Sequence, residues 1–386
     1  MTGLIVDSEE HALLRQSVGK IAERYGHAYF AERARAGGRV DELWADLGES
    51  GFLGVHLPEE YGGGGGGLSE YGVVLEELAA HGMPLLMGVI SPAITGSIVW
   101  RHGSDAMRRE WLPGMAAGTR KMAFALTEPD AGSNSHQVTT TAHRDGDGWR
   151  LTGTKYYISG ADESDALLVV ARDGDPGPSG RASLSLFVVP TDAPGLRMRH
   201  IATELVVPEK QFTLFFDDVR IGPEALIGEA GRGLRQVFAG LNPERVLAAS
   251  LSNGIGRYAL DKATRYARER QVWSAPIGSH QGVSHPLAEA YIGVELARLA
   301  TARAAELYDS GQDAAEAANI AKFAAADASL RALDQAIQTH GGNGLSREYG
   351  LADLWFVARL LRTAPVSREM VLNYVAQHSL RLPASY

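Results

Sequence analysis

The spacing of apolar residues changes twice along this chain, and these changes limit the folds that it can adopt. Up to about residue 119, apolar residues recur at helical spacing. Short segments rich in β-branched and aromatic residues follow, separated by turn clusters such as DGDG, and after residue 228 long Ala- and Leu-rich helical segments return. We therefore predict an α+β multidomain fold with an N-terminal α-helical domain (1–119), a middle antiparallel β domain (120–228) and a C-terminal four-helix-bundle-like domain (229–386).

Local patterns refine this prediction. Asp7 and Glu10 are spaced to cap a first helix, which we expect to end at Gly26. The middle domain contains about six strand-like segments, which predict a small antiparallel sandwich or barrel.

Composition excludes several classes of protein. The 386 residues include no cysteine, so disulfides, thiolate catalysis and thiolate metal sites are absent. The net charge of -9 argues against a nucleic acid partner. The start, MTGLIVDSEE, has acidic residues where a secretory leader needs positive charge, and no apolar run reaches the length of a membrane span. We therefore expect a cytoplasmic protein with no membrane partner.

Six consecutive glycines, Gly62 to Gly67, match the dinucleotide-binding pattern GxGxxG. A run of glycine matches any glycine spacing, and no alternating strands and helices follow, as a doubly wound sheet requires. We interpret this run as a flexible surface loop.

Four segments in order along the chain, AFALTEPDAGSNS, LTGTKYYISGADESDALLVVAR, RERQVWSAPIGSHQ and QTHGGNGLSREYG, resemble the acyl-CoA dehydrogenase family. The resemblance implies the three-domain fold given above and a noncovalent FAD. It also implies an acyl-CoA substrate, an electron-transfer flavoprotein that reoxidises the flavin, and a homotetramer built as a dimer of dimers.

The same resemblance implies roles for individual residues. Residues expected to line the flavin are Phe124, Leu126 and Thr127, with Tyr157 in place of the family's usual Trp and Ser159 as the hydroxyl donor to the flavin nitrogen. Residues expected to bind the FAD of a neighbouring subunit are Arg270, Trp273, Gln281, Gln338, Gly341 and Gly342. Ser367, at the Thr of the family's YEGT segment, is also assigned to the cofactor, and Gly132, Ser133 and Arg245 are assigned to the substrate.

The catalytic base can occupy one of two places. By the resemblance, the base in most of the family is the Glu of a YEGT segment near the C terminus. This chain has Pro365 at that position, and proline cannot accept a proton. The isovaleryl and long-chain branches keep a Glu directly before an Arg in the first long helix of the C-terminal domain, which corresponds to Glu244 and Arg245. A helical Glu is otherwise an exposed charge paired with a neighbour. With position 365 unable to serve, we identify Glu244 as the base. Pro365 also lacks the backbone N–H that many relatives direct at the thioester carbonyl.

The sequence thus predicts an FAD-dependent dehydrogenase that converts an acyl thioester into the 2,3-enoyl thioester. Alternatives are a carrier-protein thioester dehydrogenase or a flavin oxidase of secondary metabolism, and, ranked below them, a non-catalytic flavin- or nucleic-acid-binding relative. His340 has no second His or carboxylate at ligand spacing on its helix face, so we assign it to capping or packing and predict no metal site.

Overall fold

The computed structural model describes residues 3–5, 7–174 and 183–384. The helices are α1 (Glu9–Arg35), α2 (Asp41–Glu49), α3 (Leu68–Ala80), α4 (Leu86–Gly88), α5 (Gly96–His102), α6 (Asp105–Ala116), α7 (Gly233–Glu269), α8 (Gln281–Asp309), α9 (Ala315–His340), α10 (Trp355–Thr363) and α11 (Arg368–Tyr374). A π-helical turn, Val89–Thr95, joins α4 to α5. The predicted order of a helical, a β and a second helical domain is confirmed.

The middle domain is one sheet. Its strands are β1 (Met122–Ala125), β2 (Thr141–Asp145), β3 (Gly148–Ser159), β4 (Ala166–Arg172), β5 (Leu184–Pro190), β6 (Leu196–Ile201), β7 (Gln211–Ile221) and β8 (Leu226–Ile227). They follow the order β6-β7-β3-β2-β4-β5-β8, with β1 beside β4. Pairing is antiparallel except where β1 and the start of β2 run parallel to β4. A separate short hairpin consists of β9 (Gln271–Val272) and β10 (Ala275–Pro276).

The start of the first helix differs from the expectation by one residue. Ser8, rather than Asp7, is the N-cap, and its hydroxyl accepts from the backbone N–H of His11. Asp7 instead accepts from Nε of Arg15 at 3.0 Å. Gly26 interrupts the helix with φ 69° and ψ 177°, but the helix then resumes to Arg35. Serine and aspartate are equally favourable N-cap residues, so the sequence does not decide between Ser8 and Asp7. The contact of Asp7 with Arg15 in the folded chain does.

Alternate residues of the central strands face two apolar cores. Leu168 of β4 belongs to a core shared with α1, α3, α7, α8 and α9. Leu167 faces the opposite core, in which Trp149 packs against Phe187 with ring centroids 5.0 Å apart. This alternation follows from the two-residue period of a strand. One face of the sheet therefore completes the core of both helical domains.

The glycine run is tied to the protein rather than free. The amides of Gly63, Gly64, Gly65 and Gly66 donate to backbone carbonyls at 2.9–3.0 Å. A Cβ atom at Gly63 would lie 2.1 Å from the carbonyl oxygen of Leu57, so glycine is required there by space. With these amides engaged, they do not form a phosphate cradle. The segment is therefore a loop held by backbone hydrogen bonds, in contrast to the flexible surface loop expected from the sequence.

The long helix α7 packs closely against its neighbours. A Cβ atom at Gly254 would lie 2.3 Å from the carbonyl oxygen of Glu76 in α3, and one at Gly240 would lie 2.7 Å from that of Ile94 in the π-helical turn. These glycines allow the helix backbones to approach. They fix the position of α7, which carries Glu244.

Candidate active site

The first group of predicted cofactor residues lies where β1 ends beside β3. The backbone N–H of Tyr156 donates to the carbonyl of Thr127 at 2.8 Å, and Nζ of Lys155 donates to the carbonyl of Leu126 at 2.9 Å. The segment from Phe124 to Thr127 is thereby joined to the strand that carries Tyr157 and Ser159. The structure thus brings these predicted residues together.

A buried ion pair stabilises this junction. Lys155 is 0% exposed, and its ammonium lies 2.9 Å from Oε1 of Glu128. Glu128 also accepts hydrogen bonds from the backbone N–H groups of Thr139 and Thr140 at 2.7 and 2.9 Å. Burial alone raises the pKa of Glu128, but Lys155 and these donors outweigh it and lower the pKa to about 2. The carboxylate is therefore charged at neutral pH.

Tyr157 and Ser159 present different groups at this edge. Tyr157 has φ 55°, which is uncommon for an aromatic residue, and its side chain is 53% exposed. It lies edge-on to Tyr156, with ring centroids 4.4 Å apart. Ser159 donates from Oγ to Oε1 of Gln211 at 2.9 Å. The ring of Tyr157 is thus open to a planar ligand, whereas the single O–H of Ser159 is donated to Gln211, which leaves this hydroxyl only its acceptor capacity.

The residues assigned to the substrate lie in two places. Gly132 and Ser133 are exposed in the turn after β1, and a Cβ atom at Gly132 would meet nothing within 4 Å. Arg245 lies in α7, where Nη1 donates to Oδ1 of Asn242 at 2.8 Å. Nε of Arg245 is buried and has no hydrogen-bond partner in the described part of the chain. That N–H is a free donor beside Glu244.

Glu244 lies in α7 directly after the buried Pro243. Its side chain keeps some accessible surface but lies among protein atoms, and this burial raises the pKa to about 7, while Arg245 and Lys322 act to lower it. A carboxyl with this pKa is divided between its two protonation states at neutral pH. That is the condition in which a general base works well.

Lys322 of α9 acts on Glu244 through its charge and is hydrogen-bonded to the segment around Pro365. It is 1% exposed, and its ammonium donates to the carbonyls of Arg362, at 3.3 Å, and Val366. Burial lowers the pKa of Lys322 to about 8. The oxygen of Ser367 accepts from the backbone N–H of Met370 at 3.2 Å and so caps α11. Lys322 is therefore bonded to the 362–367 segment, and its charge also lowers the pKa of Glu244 without a direct ion pair among the described contacts.

The residues assigned to a neighbouring subunit's FAD lie near the end of α7. His340 stacks on Tyr266 with centroids 4.2 Å apart, and its Nδ1 donates to the carbonyl of Ala336 at 2.8 Å, which is a packing role. Exposed residues in this region include Arg270, Trp273, Gln281, Gln338, Gly341 and Gly342. Within the described residues, no hydrogen bond or ion pair joins them to the β1–β3 junction.

These surfaces fit a flavin dinucleotide. Trp273 is 95% exposed and Tyr157 more than half exposed, so both rings can be covered by a planar heterocycle. A Cβ atom at Gly341 or Gly342 would meet nothing within 4 Å, so the backbone there is open to a ligand. Arg270 makes no ion pair in the described ranges, which leaves a guanidinium suited to a pyrophosphate.

Several residues that shape the site escaped sequence reasoning. Glu128, Lys155 and Gln211 set the β1–β3 junction, and Lys322 sets the surroundings of Glu244. A signal for Lys322 exists, because it shares a helix face with the buried Ala318 and Ala325. A charge on an otherwise apolar face indicates a buried partner. Among the described residues, no group of three or more metal-binding side chains occurs.

Comparisons with known proteins agree along the whole chain. Family profiles match for the acyl-CoA dehydrogenase N-terminal domain at residues 8–119, the middle domain at 123–219 and the C-terminal domain at 231–380. Acyl-CoA dehydrogenase FadE12 of Mycobacterium tuberculosis is 55% identical over 383 residues, which cover 99% of this chain and 98% of that protein. The pig (Sus scrofa) mitochondrial long-chain specific acyl-CoA dehydrogenase is 30% identical, over 96% of this chain and 86% of its own.

Solved structures show the same likeness. Butyryl-CoA dehydrogenase from Megasphaera elsdenii superposes with a TM-score of 0.92 at 26% identity, covering 98% of this chain and all of that one. Glutaryl-CoA dehydrogenase from Mycobacterium smegmatis gives a TM-score of 0.92 at 28% identity, covering 99% and 97%. No helix in the described ranges has the length and apolar character to cross a membrane. The chain therefore belongs to the acyl-CoA dehydrogenase family of flavin-dependent oxidoreductases.

Proposed function

We propose that this enzyme oxidises an acyl-CoA to the 2,3-enoyl-CoA with Glu244 as the base that removes the α proton. The observation that carries the proposal is the half-buried carboxyl of Glu244, whose pKa is raised to about 7, in a chain with proline at position 365. The free Nε–H of Arg245 lies next to it in sequence and can orient a bound acyl-CoA. Noncovalent FAD, when bound, supplies the acceptor for the β hydride.

Two groups of residues support FAD as the cofactor. Phe124, Leu126, Thr127, Tyr157 and Ser159 meet at the β1–β3 junction and are proposed to bind the flavin. The group around Arg270 and Trp273 at the end of α7 is proposed to bind the FAD of a neighbouring subunit, which is consistent with its separation from the first group. A homotetramer arranged as a dimer of dimers, an electron-transfer flavoprotein as acceptor and a cytoplasmic location complete the proposal.

Glu244→Gln tests the base directly, because it keeps the shape of the side chain and removes its basicity. Reduction of the bound flavin by the best acyl-CoA should slow by about 10²- to 10⁴-fold in stopped-flow absorbance measurements, while FAD remains bound. A panel of straight, branched and aromatic acyl-CoAs with a dye acceptor identifies that substrate.

Pro365→Ala is the matched control, since it restores a backbone N–H without adding a base. Its rate should stay within roughly tenfold of the wild type, a barrier change of about 1.4 kcal/mol. Near-normal flavin reduction by Glu244→Gln would remove Glu244 from the mechanism.

A further inference from the structure

A cleft lies on the opposite side of α7 from Glu244. It encloses about 730 Å³ between α5, α6, the N-terminal part of α7 and the end of α8. Arg235, Ala239 and Asn242 line it from α7. At about 100° per residue, Glu244 points about 180° away from Arg235 around the helix axis. The cleft is therefore separate from the proposed catalytic carboxyl.

Positive charge dominates this cleft. Three arginines line it, Arg101, Arg108 and Arg235, with Glu60 as the only carboxylate among the described lining residues. Arg108 pairs with Asp105 at 3.1 Å, but its Nε is buried without a partner in the described part of the chain. The guanidinium groups of Arg101 and Arg235 form no hydrogen bond or ion pair with any described residue. The cleft thus holds cations that the protein does not neutralise.

His102 also lies in the wall of this cleft, beside the arginines. Burial lowers the pKa of His102, and Arg101, Arg235 and Arg108 lower it further. His102 and the three arginines line the same cleft. A cleft lined mainly by charges of one sign concentrates ligands of the opposite sign.

Aromatic rings form the remaining walls. Trp100, Phe238 and Tyr308 line the cleft, and Phe238 is 44% exposed. The guanidinium of Arg101 lies 5.4 Å from the ring centre of Trp100 and 5.2 Å from that of Tyr308. The site therefore offers flat apolar surfaces beside cationic hydrogen-bond donors.

We propose that this cleft binds a nucleoside phosphate, with the base against the aromatic walls and the phosphates against Arg101, Arg108 and Arg235. Forked guanidinium groups match phosphate oxygens, and ring faces stack on a purine. Two sources supply this chemistry: a free nucleotide, or the nucleotide end of an acyl-CoA. Asn242 connects the cleft to the catalytic side, because its Oδ1 accepts from Arg245.

Calorimetric titration of the FAD-saturated enzyme with ADP tests the site without requiring turnover. Wild-type enzyme should bind ADP at low salt, and Arg235→Gln and Arg101→Gln should each weaken binding at least tenfold. Arg197→Gln is the control, since Arg197 lies on β6 and is exposed. Its ADP affinity should match the wild type. Absent binding, or equal binding in all variants, overturns the proposal.

Kinetics then distinguish the two sources. If the nucleotide end of the substrate occupies the cleft, Arg235→Gln raises KM for an acyl-CoA about tenfold but leaves KM for the matching acyl-pantetheine unchanged. If a free nucleotide occupies it, both KM values stay at the wild-type level while ADP affinity falls. Both results support the site, whereas equal increases in both KM values would show damage to the catalytic side and contradict a separate cleft.

Discussion

At the scale of single residues, the proton on Glu244 is controlled by opposing influences. Burial favours the neutral carboxyl, whereas the charges of Arg245 and Lys322 favour the carboxylate. The balance leaves the pKa at about 7. Lys322 also donates to the carbonyls of Arg362 and Val366, which fixes its ammonium near the backbone around Pro365.

Lys322→Met should move the pH dependence of catalysis. Removal of the α proton by Glu244 requires the carboxylate form. The rate of flavin reduction by the acyl-CoA should therefore rise with pH through about 7 in the wild type. Removing a nearby cation raises the pKa of the carboxyl, and the rising limb should move to higher pH. Stopped-flow rates between pH 5 and pH 9 measure this shift. Lys262→Met, a lysine bonded to the carbonyl of Tyr349, is the control, and an equal shift there would contradict the assignment.

Glu244→Gln should also change the pH dependence of stability. The folded pKa of about 7 lies above the ordinary value of 4.5 for a glutamate, so the folded state retains a proton that the unfolded state loses. Glu244 therefore destabilises the fold increasingly as pH rises from 4.5 to about 7. The variant should be more stable than wild type at pH 8 by up to about 3 kcal/mol, since one pKa unit corresponds to about 1.4 kcal/mol. Urea unfolding at pH 5 and pH 8 checks this, and an unchanged difference would contradict burial of the carboxyl.

At the scale of elements, glycines set how closely α7 approaches α3. Gly254→Ala places a methyl group against the carbonyl of Glu76, 2.3 Å away, so the helices must separate. We expect a loss of about 1–3 kcal/mol in thermal or urea unfolding, as for other overpacked cores.

Gly293→Ala in α8 is the matched control. Its new methyl group would meet only Cβ of Ala328 at 3.7 Å, an ordinary contact. Alanine favours a helix over glycine by about 1 kcal/mol, so this variant should be neutral or more stable. Equal destabilisation of both variants would show that helix separation is not the cause.

Elements with strong local patterns were predictable, and those determined by distant contacts were not. The apolar runs of β4 and β5 identify both strands, because both faces of each are buried. Strand β6, LRMRHI, was missed because it alternates half-buried residues with exposed charges at the edge of the sheet. Lys155 and Glu128 are 27 positions apart in the sequence, so no local sequence pattern predicts their ion pair. The domain boundaries and the site roles stay predictions.

At the scale of the whole molecule, the exposed apolar residues favour assembly. Ile292, Leu296 and Leu299 of α8 form one stripe at helical spacing and are 40–57% exposed. Ile320 of the neighbouring α9 is 42% exposed. A surface of this kind is typical of a protein interface. It supports the proposed homotetramer.

Arg270→Ala should couple cofactor loss to dilution, if Arg270 binds the FAD of a neighbouring subunit. The variant should release FAD at protein concentrations where the wild type retains it, because assembly and cofactor binding stabilise each other. Absorbance after gel filtration at decreasing concentrations measures retention. Arg265→Ala, an exposed arginine in α7 five residues earlier, is the control. A wild-type monomer that retains FAD would contradict the shared site.

Because one apolar core joins both helical domains to the inner face of the sheet, the three domains are not interchangeable modules. Side chains from α1, β4 and α9 meet in that core, so a replacement for any one domain must match surfaces shaped by the other two. Recombination between two related genes near residue 120 would join halves that did not evolve against each other. Such a chimera would lose the close packing on both sides of the crossover and should unfold at lower temperature than either parent.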